Sequence, residues 1–243
     1  MLISDQTVWN RLHQCGLRAR RPLKGSTLKQ RDRAARLQWG RTRFRWNRNT
    51  WQNILFSDES RFCLKFSVGR ARVYRRRGER FSDACVLETN RFSGGSVMIC
   101  GGINHFEGTD LKVIDGILNV ARYRDKIIAP IVLPFLHRHR FRHVFQQDNA
   151  RRHVARVSMD FLNDNHIRTL PWPALSPDLN PIEHLWDELG RRVRNPPETL
   201  DGLRGAIIQE WNNIPQAFIR NLIGSMRRRC QAVINANRGH TRY

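Results

Sequence analysis

The sequence predicts an α/β fold, a mixed sheet flanked by helices on both faces, and three observations lead there. Apolar runs of strand length, at residues 53–57, 96–103 and 143–147, are interleaved in the second half of the chain with amphipathic helical patterns. The order runs through three or four strands and then helix, strand, helix, strand, helix, as in a sheet with crossover helices. With 243 residues and 40% hydrophobic content, the chain can bury one substantial core and perhaps one small appended unit.

The elements follow in order. Residues 4–17 predict a short helix, capped by Ser4, with Val8 and Leu12 on one face and Gly16 as its left-handed end. This helix carries Arg11 and is followed by Arg18, Arg20, Arg21 and Lys24, so it reads equally well as the last helix of a helix-turn-helix or as a loose terminal helix. Pro22 and Gly25 break the chain, and Thr27 with Gln30 starts an arginine-rich helix through Leu37 and Trp39, expected to be a connector rather than a core element. The main domain is expected from residue 51, with a buried strand at 53–57, a turn at Asp58 and a half-buried neighbouring strand at 61–66. Residues 69–95 are polar and poorly periodic, which suggests an inserted hairpin or loop.

Strand 96–103 is expected to pair with 111–114 across a turn at Glu107 and Gly108. Asn119 then caps a helix bent or restarted at Pro130 and Pro134. Strand 143–147 ends at Asp148, a helix spans about 151–163, and a strand at 167–170 leads into a proline-rich loop. Asn180 opens a helix whose buried side is Leu185, Trp186, Leu189 and Val193. Two amphipathic helices follow, with Leu200, Leu203, Ile207 and Trp211 on one stripe and Phe218, Leu222, Ile223 and Met226 on the other; the run 227–229 is expected to open a polar tail.

Charge narrows the function. The 43 Lys and Arg against 21 Asp and Glu give a formal net charge of +22, and most of the excess is arginine, whose planar fork pairs with phosphate oxygens. No run of 18 apolar residues exists to span a bilayer, and no membrane partner is expected. Five scattered cysteines without a Cys-x-x-Cys pair suggest reduced thiols in an intracellular compartment, and the basic clusters at 18–24 and 75–80 point weakly to the nucleus.

Within this basic chain, Asp58, Asp148 and Glu183 each fall at a strand end or a helix start. Each has an ordinary explanation: a turn aspartate, a helix cap and a capping-box glutamate. Together they form a set of oxygen ligands of the kind that divalent cations need for phosphodiester cleavage. Asn149 and Asp178 are read as turn residues or as groups that orient ligands, His153 as an ordinary partly exposed histidine, and Trp172 and Trp186 as packing residues.

Three blocks, Phe56-Ser57-Asp58-Glu59-Ser60-Arg61-Phe62, Gln146-Gln147-Asp148-Asn149-Ala150-Arg151 and Ser176-Pro177-Asp178-Leu179-Asn180-Pro181-Ile182-Glu183, resemble the catalytic blocks of Tc1/mariner superfamily transposases. The thirty-four residues between Asp148 and Glu183 match the spacing of the Tc-like branch. The resemblance implies an RNase H-like catalytic domain in which Asp58, Asp148 and Glu183 bind two Mg2+ or Mn2+ ions. It implies hydrolysis of double-stranded DNA at transposon ends and attack of the freed 3′ hydroxyl on a TA target, by a protein that works as a homodimer. It also implies a domain plan: 1–25 as the end of a second helix-turn-helix, 26–50 as a basic linker and 51–243 as the catalytic domain, with a clamp-like insertion at 65–95. On this plan the chain begins inside the second DNA-binding unit, and Arg11, Arg18, Arg20, Arg21 and Lys24 are its expected DNA contacts.

Three positions depart from the family pattern: Arg152 replaces the usual proline, Val154 the common threonine and Cys100 the tryptophan of a Trp-Gly-Gly block. The alternative expectation is therefore a catalytically impaired or domesticated DNA-binding protein.

Overall fold

The apolar runs become the strands of one sheet in the computed structural model, which describes residues 4–20, 23–24, 27–64, 73–76, 86–87, 95–139, 144–193, 198–236, 239–241 and 243. The first half of the chain forms α1 (Asp5–Gln14), β1 (Arg18–Arg20), β2 (Leu23–Lys24), α2 (Gln30–Arg43), α3 (Arg48–Gln52), β3 (Ile54–Cys63), β4 (Val73–Arg75), β5 (Val86–Leu87), β6 (Ser96–Ile103) and β7 (Lys112–Ile114). Then come α4 (Val120–Tyr123), a π-helical stretch at Arg124–Val132, α5 (Leu133–Arg138), β8 (Val144–Gln146), α6 (Arg151–Val154) and α7 (Arg156–Asp164). A 3-10 turn at Pro177–Leu179 precedes α8 (Pro181–Arg192), α9 (Leu200–Asn212), α10 (Gln216–Gly224) and α11 (Met226–Asn235).

The chain divides into two units, Met1–Lys29 with Phe66–Arg91, and Gln30–Lys65 with Phe92–Tyr243. In the smaller unit the Ser4 hydroxyl accepts the Thr7 N–H at 3.3 Å and Gly16 takes a φ of +73°, so α1 starts and stops where its caps predict. None of its residues is buried, and Val8 stays exposed rather than facing a core. β1 pairs antiparallel with β4 and β2 pairs parallel with β5. The described strands of the insertion thus pair with the N-terminal segment.

The larger unit holds the sheet, in the order β7-β6-β3-β8. β6 runs antiparallel to β3 and β7, and β8 runs parallel to β3. Period-two alternation sends Ile54, Phe56, Val97 and Ile99 to one face, against Ile182, Leu185 and Leu189 of α8 and the helices after it. Leu55, Cys100 and Phe145 face the other way, against Tyr123, Ile127, Ile128 and Leu162. Helices therefore cover both faces.

Four expectations change. The turn at Asp58 is absent: β3 is one strand, because its ladder with β6 continues unbroken from Phe56↔Ile103 to Cys63↔Ser96. The helix at 151–163 breaks at Ala155, which is extended at φ −61° and ψ 142°, while the Arg152 carbonyl takes the Ser158 hydroxyl at 2.7 Å. The strand at 167–170 reduces to a single parallel bridge, Phe145↔Thr169. The run 227–229 lies in α11, because Met226, Cys230 and Val233 form a buried stripe.

The arginine-rich α2 packs against α11, with Leu37, Trp39 and Gly40 buried. A Cβ on Gly40 would come within 3.3 Å of the Cys230 carbonyl, so glycine permits this approach. Trp39 joins the core and donates its indole N–H to the Pro171 carbonyl at 2.7 Å.

Candidate active site

The parallel pairing of β3 with β8 sets two of the three acids. Its last registered pair is Phe56↔Gln146, and Asp58 and Asp148 each lie two residues beyond it. Equal offsets in a parallel register put both residues at the same end of the strand pair. Side chains extend the join past the backbone ladder: the Ser57 N–H donates to Gln146 Oε1 at 3.1 Å, and the Ser57 hydroxyl donates to the Gln146 carbonyl at 2.7 Å.

Glu183 arrives on the first turn of α8. Asn180 caps that helix, with its Oδ1 accepting the Ile182 N–H at 3.4 Å, while its Nδ2 donates to the Ser57 carbonyl at 3.1 Å. One side chain therefore ties the helix start to the residue before Asp58. Three residues past Glu183, and so on the same helix face, Trp186 donates its indole N–H to Asp58 Oδ2 at 3.2 Å.

The loop ahead of Asn180 is clamped by Asp178. Its carboxylate accepts both ends of the Arg36 fork, at 2.7 and 2.6 Å, together with the Thr241 N–H at 3.1 Å and hydroxyl at 2.8 Å. Arg36 is fully buried, and Arg229 donates to the Asp178 carbonyl at 2.7 Å. This explains the specific loop sequence: Asp178 fastens the loop to α2 and the chain's last residues, and Asn180 then aims α8 at β3. Asp178 orients the site through structure and is more than a turn residue.

The acids perturb one another. Burial pushes the Asp58 carboxyl well above its ordinary value, and Glu183, Glu59 and Asp148 add to that rise by like-charge repulsion, partly offset by the Glu59 backbone N–H. Asp148 is more open, its side chain 49% exposed. Burial raises it too, but His153, the Ala150 N–H and Arg152 outweigh this and hold it below the usual carboxylate range.

Sequence reasoning missed the group beside Asp148. His153 is 2% exposed, not partly exposed as expected, with Nδ1 2.5 Å from Asp148 Oδ1 and Nε2 3.0 Å from Glu59 Oε1. Burial pulls its pKa down, yet the two carboxylates carry it up to about 9. Arg152 closes the chain, 2.6 Å from Glu59 Oε2. The residue that departs from the family's proline is thus the partner of a buried glutamate. The signal in the sequence was Glu59 itself, a second acid directly after Asp58. Asn149 donates to the Trp172 carbonyl at 2.9 Å and shapes the turn.

Among the described residues, no three His, Cys, Asp or Glu side chains stand as a ready-made cage for a cation. Asp148 Oδ1 is occupied by His153 and by the Ala150 N–H at 2.8 Å, and Asp58 Oδ2 by Trp186. The donor chemistry nevertheless fits a hard divalent ion: the neighbouring carboxylates raise the proton affinity of Asp58, a repulsion that a cation relieves.

Of the expected DNA contacts, Arg11 is exposed on α1, and Arg18 and Arg20 are exposed at alternate positions of β1. Lys24 lies in β2 with its side chain outside the description, and Arg21 lies outside the described residues.

Comparison with known proteins places this geometry. A family profile described as DDE superfamily endonuclease matches residues 53–204, and one described as transposase matches residues 1–45. The chain is 38% identical over 242 residues to the transposable element Tc1 transposase of Caenorhabditis elegans, covering 99% of this chain and 88% of that protein. It is 37% identical over 246 residues to the Tcb2 transposase of Caenorhabditis briggsae, with the same coverage. Its fold resembles the Mos1 mariner paired-end complex with Mn, at a TM-score of 0.72 and 21% identity over 97% of this chain and 71% of that one. It also resembles the Mos1 catalytic domain, at 0.69 and 18% identity over 89% and 98%.

Proposed function

The chain belongs to the Tc1/mariner superfamily of DDE transposases, and from that premise we propose that Asp58, Asp148 and Glu183 are its metal-holding catalytic carboxylates. It is a transposase catalytic domain that depends on divalent metal for phosphodiester chemistry on DNA. The observation that carries the residue assignment is the equal offset of Asp58 and Asp148 beyond the β3/β8 pairing, with Asn180 bringing Glu183 to the same strand.

Two Mg2+ or Mn2+ ions bound by these carboxylates would supply positive charge for the attacking water and for the departing oxygen. The chain's own residues do the rest. Asp58 is enclosed and repelled by its neighbours, and Asp148 offers the solvent-open side. Trp186 and Asn180 fix Asp58 and the start of α8 relative to each other. Glu59 holds His153 and Arg152 behind Asp148, on the opposite side of β3 from Asp58.

We extend the reading to the substrate: cleavage at transposon ends, then attack of the 3′ hydroxyl on a TA target, by a homodimer. Mos1 supports this, having been solved as a paired-end complex with a transposon end and as a strand-transfer complex. In a Mn2+-dependent nicking assay on end-containing DNA, Asp148→Asn should abolish cleavage while leaving the circular dichroism spectrum unchanged. Cleavage that survives the substitution rejects the assignment.

A second reading, a DNA-binding protein that no longer cuts, is favoured by the contact of His153 with Asp148. It predicts DNA binding indifferent to Mn2+ and no nicking by the unsubstituted chain.

A further inference from the structure

A cavity of about 420 Å³ opens in the larger unit where α3 feeds β3. Arg48, Arg220, Arg227 and Arg228 line it, and no acidic residue does. None of the four arginines has an ion-pair partner among the described residues, unlike Arg36, Arg152, Arg191 and Arg192 elsewhere in the unit. Arg227 rests over the Phe44 ring at 5.0 Å, which fixes its position without neutralising it.

The charge of these arginines is felt on the cavity wall, where His105 has a lowered pKa, by partial burial and then by the positive charges of Arg48 and Arg220.

We propose that this cavity is a second DNA site, which grips backbone phosphates of the strand away from the point of cleavage. From Ile54, two residues past Gln52 on the cavity wall, β3 runs to Asp58 over about 13 Å at roughly 3.3 Å per residue. That span corresponds to about four nucleotides of one strand at 3.4 Å each. Arginine forks match phosphodiester oxygens through paired hydrogen bonds, and a cluster without acids favours a polyanion over a zwitterionic ligand. The volume suits a nucleotide-sized group.

The partner follows from the DNA-acting reading, but the test does not depend on the three acids. The full chain is titrated in EDTA, where no cleavage occurs, with a fluorescent duplex of about two helical turns. Arg48, Arg220 and Arg228 are exposed, so their replacement leaves the core intact. Arg48→Gln with Arg220→Gln should weaken binding roughly tenfold and lower the slope of log affinity against log salt by about two. The control pair Arg31→Gln with Arg156→Gln removes the same charge from exposed positions outside the cavity and should change both much less. NMR titration supplies the local readout: the duplex should raise the His105 pKa by neutralising its two arginines.

Equal losses in the cavity and control pairs, or a His105 that does not respond to the duplex, overturn the proposal. A His105 that responds to inorganic phosphate but not to the duplex makes this a free-anion site and overturns the DNA assignment. Should Asp148→Asn leave cleavage unchanged, the acid assignment fails and this binding test still stands.

Discussion

Asp178 and Asp58 are both enclosed carboxylates of the larger unit, yet their surroundings drive them in opposite directions. Asp178 receives four donors, two of them from a buried guanidinium. Burial pushes its carboxyl up, but Arg36 and Thr241 outweigh it and hold the pKa below the usual range. Asp58 has the Trp186 indole at 3.2 Å and the Glu59 backbone N–H, faces Glu183 and Asp148, and is pushed well up. The contrast teaches that burial does not mark a functional acid. The donors and charges around an enclosed carboxyl, and not its burial, decide the direction in which it is pushed.

Substitution can break this contrast. The largest effect is expected at Asp58: Asp58→Asn should lower Mn2+-dependent nicking by about a thousandfold, several kcal/mol of lost charge stabilisation. It should also raise the urea midpoint in EDTA, because it removes the repulsion. A lowered midpoint would mean that Asp58, like Asp178, is a fastener.

Next comes Asp178→Ala, which leaves Arg36 buried and unpaired and should cost about 3–5 kcal/mol in urea unfolding. The paired replacement Arg36→Met with Asp178→Leu should recover much of that loss. If the single and paired variants are equally unstable, the ion pair is not the origin of the effect.

The pH response sharpens the same point. The folded pKa of Asp178 is depressed, so its stabilising contribution is complete above the unfolded carboxylate value of about 3.9 and is lost as pH falls through the lower folded value. Unfolding midpoints measured downward from about pH 4 should therefore fall more steeply for the natural chain than for the Met/Leu pair. Parallel curves would remove Asp178 from the acid response.

The smallest effect belongs to Trp186→Phe. Loss of one long hydrogen bond to Asp58 should reduce nicking less than tenfold, about 1 kcal/mol, with stability little changed. A loss as large as that of Asp58→Asn would make the indole a principal holder of the carboxylate.

Much of the frame was legible from local pattern. Strand β6 falls at the residues expected, Asn119 and Asn180 cap the helices they were read to cap, and Leu185, Trp186, Leu189 and Val193 are the buried side of α8. These are short-range properties, set by period, capping chemistry and side-chain polarity. The misreadings share a cause. Ser57 through Ser60 looks like a turn because its residues are polar, but the ladder to β6 supplies backbone partners that the local sequence does not reveal. Arg227 to Arg229 looks like the start of a tail, yet Arg229 is buried by bonds to Ser225 and Asp178 and lies over the Tyr243 ring.

The sequence by itself determined the chemistry available: three acids in recognisable blocks, an arginine excess, and the strands and caps that set their approximate places. The tertiary structure decided which charges meet. The ties of Ser57 to Gln146, Asn180 to Ser57 and Arg36 to Asp178 span 89, 123 and 142 residues. Whether a carboxylate finds a guanidinium or another carboxylate depends on strand register and helix packing over such distances, and no local pattern encodes that.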